Sequence, residues 1–94
     1  MYELYLRPHL DAIFKKLSKK ERALFEILQR KIMEILEEPY KFKPLRAPMQ
    51  GKRRADIGGS YVLVYSIDEA QKCVVLEDYD HHDNVYRDLS PFGR

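Results

Sequence analysis

The stretch GGSYVLVYSI at residues 58–67 decides the fold of this chain. Its two glycines are typical of a tight hairpin turn. The residues after them are strongly β-forming, with apolar side chains at both odd and even positions. One face would carry Tyr61, Leu63, Tyr65 and Ile67, and the other Val62 and Val64. A strand that is apolar on both faces is expected at the centre of its sheet.

Further strands are predicted on both sides of this one. Residues 53–57 alternate loosely before the glycine turn, and residues 68–71 form a second turn. Residues 72–79 then form the last strand. Near the start of the chain, residues 2–6 alternate as a short first strand.

The segment between the first strand and residue 39 predicts two helices. Pro8 suits the first turn of a helix, where its missing N–H is not needed. Apolar residues follow at helical spacing, and the sequence SKKE at 18–21 fits a capping box, so a second helix is predicted to begin after Ser18. Pro39 ends that helix. Two helices with almost no linker make an αα-hairpin.

The element order is therefore β-α-α-β-β-β in a single domain, residues 1–94. Residues 39–51 contain three prolines and a glycine and are predicted to be a loop. The fold class is α+β: a small, mainly antiparallel, four-stranded sheet with an N-terminal helical hairpin on one face. The opposite face is left partly open and is the natural place for a ligand.

Size and composition exclude several classes of protein. Ninety-four residues leave no room for a cofactor-binding domain beside a substrate domain. The single cysteine excludes a disulfide framework, and no apolar run is long enough to span a membrane, so a cytoplasmic protein is expected. The formal net charge is only +2, but residues 41–54 carry only basic charges, whereas residues 77–88 are mainly acidic. This distribution indicates an anionic partner at the first segment and proton transfer at the second.

Three features together point to a known family. The helix pair ends in EEP at residues 37–39. The hairpin RADIGGSYVLVY at 54–65 joins a basic strand, a glycine turn and a tyrosine-containing strand. In HDNVYR at 82–87 a histidine stands four residues before an aromatic ring. In this order, over about positions 2–88, the chain resembles the RelE/ParE superfamily, the small toxins of type II toxin–antitoxin pairs.

The resemblance implies a RelE-like endoribonuclease that cleaves mRNA in the ribosomal A site. In such a reaction the ribose 2′-OH attacks the adjacent phosphorus, which requires a base, cations for the phosphorane charge, and an acid for the leaving 5′-oxygen. Arginine and lysine supply the charge, and histidine serves acid–base chemistry near neutral pH. No metal or cofactor is needed.

These requirements select two sets of residues. His82 would act as acid or base, Arg53 or Arg54 would stabilise the phosphate, and Tyr86 would hold the substrate. On alternate faces of a strand, only one of the two arginines reaches the open face of the sheet. The predicted catalytic set is His82, Tyr86, Arg54 and Arg53. The predicted substrate-binding set is Lys52, Arg46, Arg87 and His81.

One departure keeps other interpretations open. Family nucleases commonly carry an arginine directly after the tyrosine of the central strand, where this chain has Val62. A ParE-like gyrase inhibitor, or a catalytically weakened member that acts mainly through antitoxin binding, is therefore the alternative, and a plain RNA-binding module is a third interpretation. Either toxin interpretation implies a cognate antitoxin in a heteromeric complex, without a membrane.

Overall fold

The structure, a computed structural model, describes residues 1–46 and 51–84. Five strands and two helices follow one another within these ranges. In chain order they are β1 (Glu3–Leu6), α1 (Pro8–Lys20), α2 (Arg22–Glu37), β2 (Lys43–Pro44), β3 (Lys52–Ile57), β4 (Tyr61–Asp68) and β5 (Cys73–His81). The α+β fold class predicted from the sequence is confirmed.

The strands form one sheet in the order β1-β5-β4-β3-β2. The apolar part of the GGSYVLVYSI sequence forms the central strand, β4. Its residues Val62, Leu63, Val64 and Tyr65 are all buried. Three of the four pairings are antiparallel, and β1 lies parallel to β5. The sheet is therefore mainly antiparallel, as predicted, but the predicted strand count of four was one too low.

The additional strand is β2, which lies inside the segment predicted to be a loop. It consists of Lys43 and Pro44, paired with Arg54 and Arg53 at the edge of the sheet. An edge position tolerates a proline, because its missing N–H is not needed on the outer side. Two residues show no periodicity, so the sequence gives no signal for this strand.

Both helices cover the same face of the sheet, and the main core lies between the two layers. Leu10 of α1 and Leu28 and Ile35 of α2 are completely buried against it. On the sheet side this core contains Ala55, Ile57, Leu63, Tyr65, Val74, Leu76 and Tyr79. A smaller apolar cluster lies on the opposite face, where Leu45 packs on Val62 and Val64.

Two element boundaries differ from the sequence expectation. The capping box predicted at Ser18 is wrong, because α1 continues to Lys20 and the Ser18 hydroxyl donates to the Lys15 carbonyl at 2.7 Å. The helices instead meet at Glu21, whose N–H still donates to Leu17. The last strand runs two residues beyond its predicted end, to His81, because β4 continues to pair with it.

Candidate functional site

The open face of the sheet carries the cations Lys52 and Arg54 from β3. Their side chains alternate with Ala55 and Ile57, which are buried in the main core, so they point away from the helices. The guanidinium Nη1 of Arg54 lies 3.3 Å from Oδ1 of Asp56, the next residue on the same face. Two of the predicted site residues therefore lie together on this face.

Carboxylates from β5 stand opposite these cations. A bulge at Val64/Tyr65 leaves Glu77 between the paired positions of the two strands. Its carboxylate accepts hydrogen bonds from Arg7 at 2.9 Å and Ser66 at 2.6 Å, and Lys52 Nζ lies 3.9 Å away. Burial on its own raises the pKa of Glu77, but these hydrogen bonds and charges outweigh it and hold the pKa below its usual value. Glu77 is therefore an anion at neutral pH.

Arg53 lies on the helix side of β3. Its Nη1 donates to the carbonyl of Phe42 at 2.6 Å and to that of Tyr40 at 3.3 Å. The guanidinium also lies over the Tyr40 ring, 5.1 Å from its centre. In this position Arg53 fixes the segment between α2 and β2, on the face of the sheet opposite Arg54.

A groove runs along the outer edge of β3, between α2 and β2, and we call it the basic groove. Its volume is about 330 Å³, and it is lined by Lys31, Lys41, Phe42, Lys43, Arg54, Ala55 and Asp56. Lys31 and Lys41 both lie over the Phe42 ring, at 5.5 and 5.7 Å. Two of the four lining cations therefore lie over the aromatic ring, and Glu34 lies 3.6 and 3.9 Å from these two lysines.

The two histidines differ in backbone conformation. His81 is the last residue of β5, and its ring meets the Tyr61 ring edge-on, with 5.6 Å between the centres. His82 begins a helical turn over residues 82–84, and its N–H donates to the Ser60 carbonyl at 2.8 Å. Asp83 links them, since its N–H donates to His81 Nδ1 and its Oδ1 lies 3.6 Å from His82 Nδ1.

The histidines and the open-face cations occupy different parts of the sheet. Arg54 shares a row with Val64 and Asp78, and His82 lies four residues beyond Asp78. From standard strand dimensions the Cα atoms of Arg54 and His82 are about 16 Å apart. The Arg54 side chain extends towards Asp56, which is the direction of the His82 end of the sheet.

Other predicted site residues lie elsewhere. Arg46 is exposed beyond β2. Tyr86 and Arg87 lie outside the described residues. Lys31 was not selected from the sequence, because this residue lies on α2, before the basic segment at 41–54. Its place beside the apolar stripe of α2 was the only available signal.

The described ranges contain neither a membrane-spanning helix nor a metal-binding cluster. Within residues 1–46 and 51–84, no helix is long and apolar enough to cross a membrane. The same part of the chain holds no group of three or more His, Cys, Asp or Glu side chains that could bind a metal ion.

Comparison with known proteins identifies the family. No family model matches the chain. An uncharacterized protein of Methanosarcina mazei is 50% identical over 86 residues, covering 92% of this chain and 100% of that protein. A Methanocaldococcus jannaschii protein named "Putative toxin RelE4" is 41% identical over 87 residues, covering 93% of both chains. The chain belongs to the RelE family of toxins.

Solved RelE structures have the same fold. The RelBE2 toxin–antitoxin complex of Mycobacterium tuberculosis matches with a TM-score of 0.70 and 28% identity, over 86% of this chain and 91% of that one. A mutant of E. coli RelE in the free state matches with a TM-score of 0.74 and 24% identity, over 94% and 93%. At 24% identity, the likeness to the E. coli RelE mutant shows the fold alone. The RelE-like resemblance predicted from the sequence is confirmed.

Proposed function

We propose that this RelE-family chain is the toxin of a type II toxin–antitoxin pair and an endoribonuclease that cleaves mRNA in the ribosomal A site. The observation that carries the proposal is the basic groove. Lys31, Lys41, Lys43 and Arg54 line it, the first two over the Phe42 ring, and Asp56 is its one lining carboxylate among the described residues. Cations interleaved with an aromatic ring suit a single-stranded phosphate backbone with unstacked bases.

Arg54 is the residue proposed to hold the scissile phosphate. Its fork of donors matches phosphate oxygens in a bidentate manner, which a lysine cannot do. The nearby Asp56 carboxylate orients the guanidinium towards the His82 end of the sheet. Charge that develops on the phosphorane oxygens would be stabilised at this position.

His82 is proposed to transfer one of the two protons of the reaction, as its acid or as its base. One step forms the bond from the ribose 2′-oxygen to phosphorus and breaks the bond from phosphorus to the 5′-oxygen. A base removes the 2′-OH proton and an acid delivers a proton to the leaving 5′-oxygen, giving a 2′,3′-cyclic phosphate and a 5′-hydroxyl. The Asp83 carboxylate, 3.6 Å from Nδ1 of His82, would orient the ring. The ribose supplies the nucleophile, so the reaction requires no metal.

The proposed partner is an antitoxin that adds to the outer edge of β1. Leu4 and Tyr5 on this edge strand are 41% and 49% exposed, which is unusual for apolar side chains in a small domain. An extended segment of a second protein can pair with such an edge through its main chain. The similar chain from M. tuberculosis was solved as a toxin–antitoxin complex.

Inducible expression with mapping of mRNA 5′ ends tests the proposal. The wild type is expected to arrest growth and cleave mRNA at positions set by the codon, while His82→Ala and Arg54→Ala lose the cleavage. Arg30→Ala, an exposed arginine of α2, is the matched control and should cleave like the wild type. Circular dichroism of each variant separates lost chemistry from lost fold. Growth arrest with intact mRNA in the wild type would contradict the nuclease.

A second candidate function is supported by Val62. This residue occupies the position where family nucleases commonly carry an arginine, and it is completely buried on the open face. The chain would then inhibit DNA gyrase, as ParE-like members do, or act mainly by binding its antitoxin. In the same expression experiment, gyrase inhibition would appear as broken DNA with uncut mRNA.

A further inference from the structure

A cavity of about 360 Å³ lies on the helix side of the sheet, far from the open-face cations. It opens where the end of α1 passes the ends of β4 and β5. Aliphatic side chains of α1 line one wall, and Tyr61 and Tyr79 line the other. We call it the tyrosine cavity. Its volume falls within the roughly 300–1,000 Å³ typical of small-molecule sites.

Tyr79 places a polar atom with no partner at this cavity. The residue is only 5% exposed, and its hydroxyl has no hydrogen-bond partner within residues 1–46 and 51–84. The Phe14 ring lies edge-on to it at 5.9 Å, and the Tyr61 ring stacks on it at 5.4 Å. A buried hydroxyl without a partner is costly, so a hydrogen bond to a ligand would recover that cost.

The chemical state of this hydroxyl defines what it can bind. Burial, with smaller contributions from Tyr61 and Glu21, raises the pKa of Tyr79 to about 12. The hydroxyl therefore keeps its proton at neutral pH and can donate it to an acceptor on a ligand.

Two lysines at the rim supply the positive charge. Lys16 and Lys20 are one turn apart on α1, exposed, and both line the cavity. In the described part of the chain neither lysine forms an ion pair, whereas Lys31, Lys41 and Arg54 of the basic groove all do. Adjacent lysines that are not held in ion pairs suit a phosphate.

Two carboxylates complete the lining. Glu21 lies at the junction of the helices, and Asp80 accepts hydrogen bonds from the N–H of His81 and the side-chain amide of Asn84. Carboxylates accept from amino groups, so the cavity offers both a donor and acceptors to the edge of a ring. Adenine, guanine and cytosine all carry acceptors together with an amino group, and the two-ring purines offer the larger faces to the tyrosine and aliphatic walls.

We propose that the tyrosine cavity binds a purine nucleotide, with the base beside Tyr61 and Tyr79 and the phosphate between Lys16 and Lys20. The aromatic and aliphatic walls contact the faces of the base, the Tyr79 hydroxyl donates to an acceptor on its edge, and Glu21 or Asp80 accepts from its amino group. The nucleotide is either a free mononucleotide or one purine of an RNA chain. The proposal does not rest on the nuclease function, since neither Arg54 nor His82 lines the cavity.

Titration of the purified chain with AMP, GMP, CMP and UMP, followed by NMR chemical shifts, tests the site. AMP or GMP is expected to bind saturably below about 1 mM and at least about tenfold more tightly than CMP or UMP. Tyr79→Phe removes only the hydroxyl and should weaken purine binding about fivefold or more. Ribosomes are absent, so the outcome is independent of mRNA cleavage.

A second pair of variants tests the phosphate position. The double variant Lys16→Gln/Lys20→Gln should weaken AMP or GMP but leave binding of the uncharged nucleosides unchanged. Lys15→Gln, on the same helix but outside the cavity, is the matched control and should bind like the wild type. These surface changes keep the test decisive even if Tyr79→Phe disturbs the fold.

A short RNA with one central purine distinguishes the two sources of the ligand. Binding of this RNA more tightly than AMP or GMP, through the same residues, assigns the site to an RNA purine. Equal or weaker binding assigns it to the free nucleotide. The proposal is overturned if neither AMP nor GMP saturates at millimolar concentration, or if Tyr79→Phe and the double lysine variant both bind like the wild type.

Discussion

At the scale of single residues, Tyr65 and Tyr79 show how similar side chains acquire different roles. Both face the helix layer, and burial raises the pKa of each to about 12. The Tyr65 hydroxyl donates to the Pro39 carbonyl at 2.6 Å and thereby fixes the chain just after α2. The Tyr79 hydroxyl has no such partner in the described residues. Tyr65 is therefore a structural residue, and Tyr79 is the one that we propose contacts a ligand.

Replacement of each tyrosine by phenylalanine should separate these roles. Tyr65→Phe leaves the buried Pro39 carbonyl without its donor and should lower the free energy of unfolding by about 1–3 kcal/mol. Tyr79→Phe removes a buried hydroxyl that has no partner and should leave this free energy unchanged or raise it. Urea denaturation of both variants measures the difference. Equal losses would show that Tyr79 also has a structural hydrogen bond.

Arg53 and Arg54 are adjacent in the chain, but their substitution should have different effects. Loss of Arg53 should lower stability, whereas loss of Arg54 should abolish mRNA cleavage. Arg53→Ala removes two hydrogen bonds to backbone carbonyls and the contact with the Tyr40 ring, and should lower the free energy of unfolding by about 1–2 kcal/mol. Its folded fraction should still cleave mRNA, whereas folded Arg54→Ala should not. Thermal melting combined with cleavage per folded molecule distinguishes them. A folded Arg53→Ala without activity would return Arg53 to the catalytic set.

At the scale of elements, the turn between β3 and β4 connects the sheet to α2. Gly58 and Gly59 both have positive φ, at +63° and +86°. A Cβ on Gly58 would lie 2.9 Å from Leu24 Cδ1 of α2, whereas a Cβ on Gly59 would meet no atom within 4 Å. The first glycine therefore serves both the turn and the packing of a helix, and the second serves the turn alone.

Alanine substitutions at the two glycines should lower the free energy of unfolding by different amounts, because only the Cβ at Gly58 would approach α2. Gly59→Ala should cost about 1–2 kcal/mol of folding free energy, because a side chain disfavours the left-handed conformation. Gly58→Ala should cost at least about 1 kcal/mol more, because it also overpacks against Leu24. In a Leu24→Ala background this extra cost should disappear. An equal cost for both glycines in the wild-type background would contradict the close packing.

At the scale of the whole molecule, Glu69 joins three distant segments. Its carboxylate accepts hydrogen bonds from Tyr2 before β1, from Tyr40 after α2, and from Lys72 in its own turn, with distances of 2.9 Å to Tyr2 and 2.5 Å to Tyr40. The hydrogen bond from Lys72, followed by those from Tyr40 and Tyr2, lowers the pKa of Glu69 to about 2. The ionised form is therefore favoured by folding.

The pH dependence of stability should report this carboxylate. A lowered pKa in the folded state contributes stability above the ordinary value of 4.5, and this contribution is lost as the pH falls from 4.5 towards about 2. Glu69→Gln should reduce the slope of stability against pH within that window. Glu26→Gln, on the exposed side of α2, should leave the slope unchanged. Denaturant melts at several pH values measure it, and parallel slopes for wild type and Glu69→Gln would contradict the assignment.

The parts of the fold that depend on periodicity could be predicted from the sequence. The apolar run of β4 predicted its central place, and the helical stripes predicted the hairpin and the face that it covers. β2 could not be predicted, because a strand of two residues leaves no periodic pattern. The junction at Glu21 could not be predicted, because a serine inside a helix looks the same in the sequence as a serine that caps one. The basic groove combines Lys31 of α2 with a segment after it, and the Glu69 cluster spans most of the chain; such contacts depend on tertiary packing.

The parallel pairing of β1 with β5 determines the order in which the molecule can assemble. Glu3 pairs with Cys73, so the first strand has no partner until almost the entire described chain has been synthesised. Pairing between such distant segments is slow, because loop closure must precede the contact. During translation, α1 and α2 would emerge long before the sheet they cover. A sheet built in this way closes only after β5 has been synthesised, which leaves time for a partner to meet the unpaired edge.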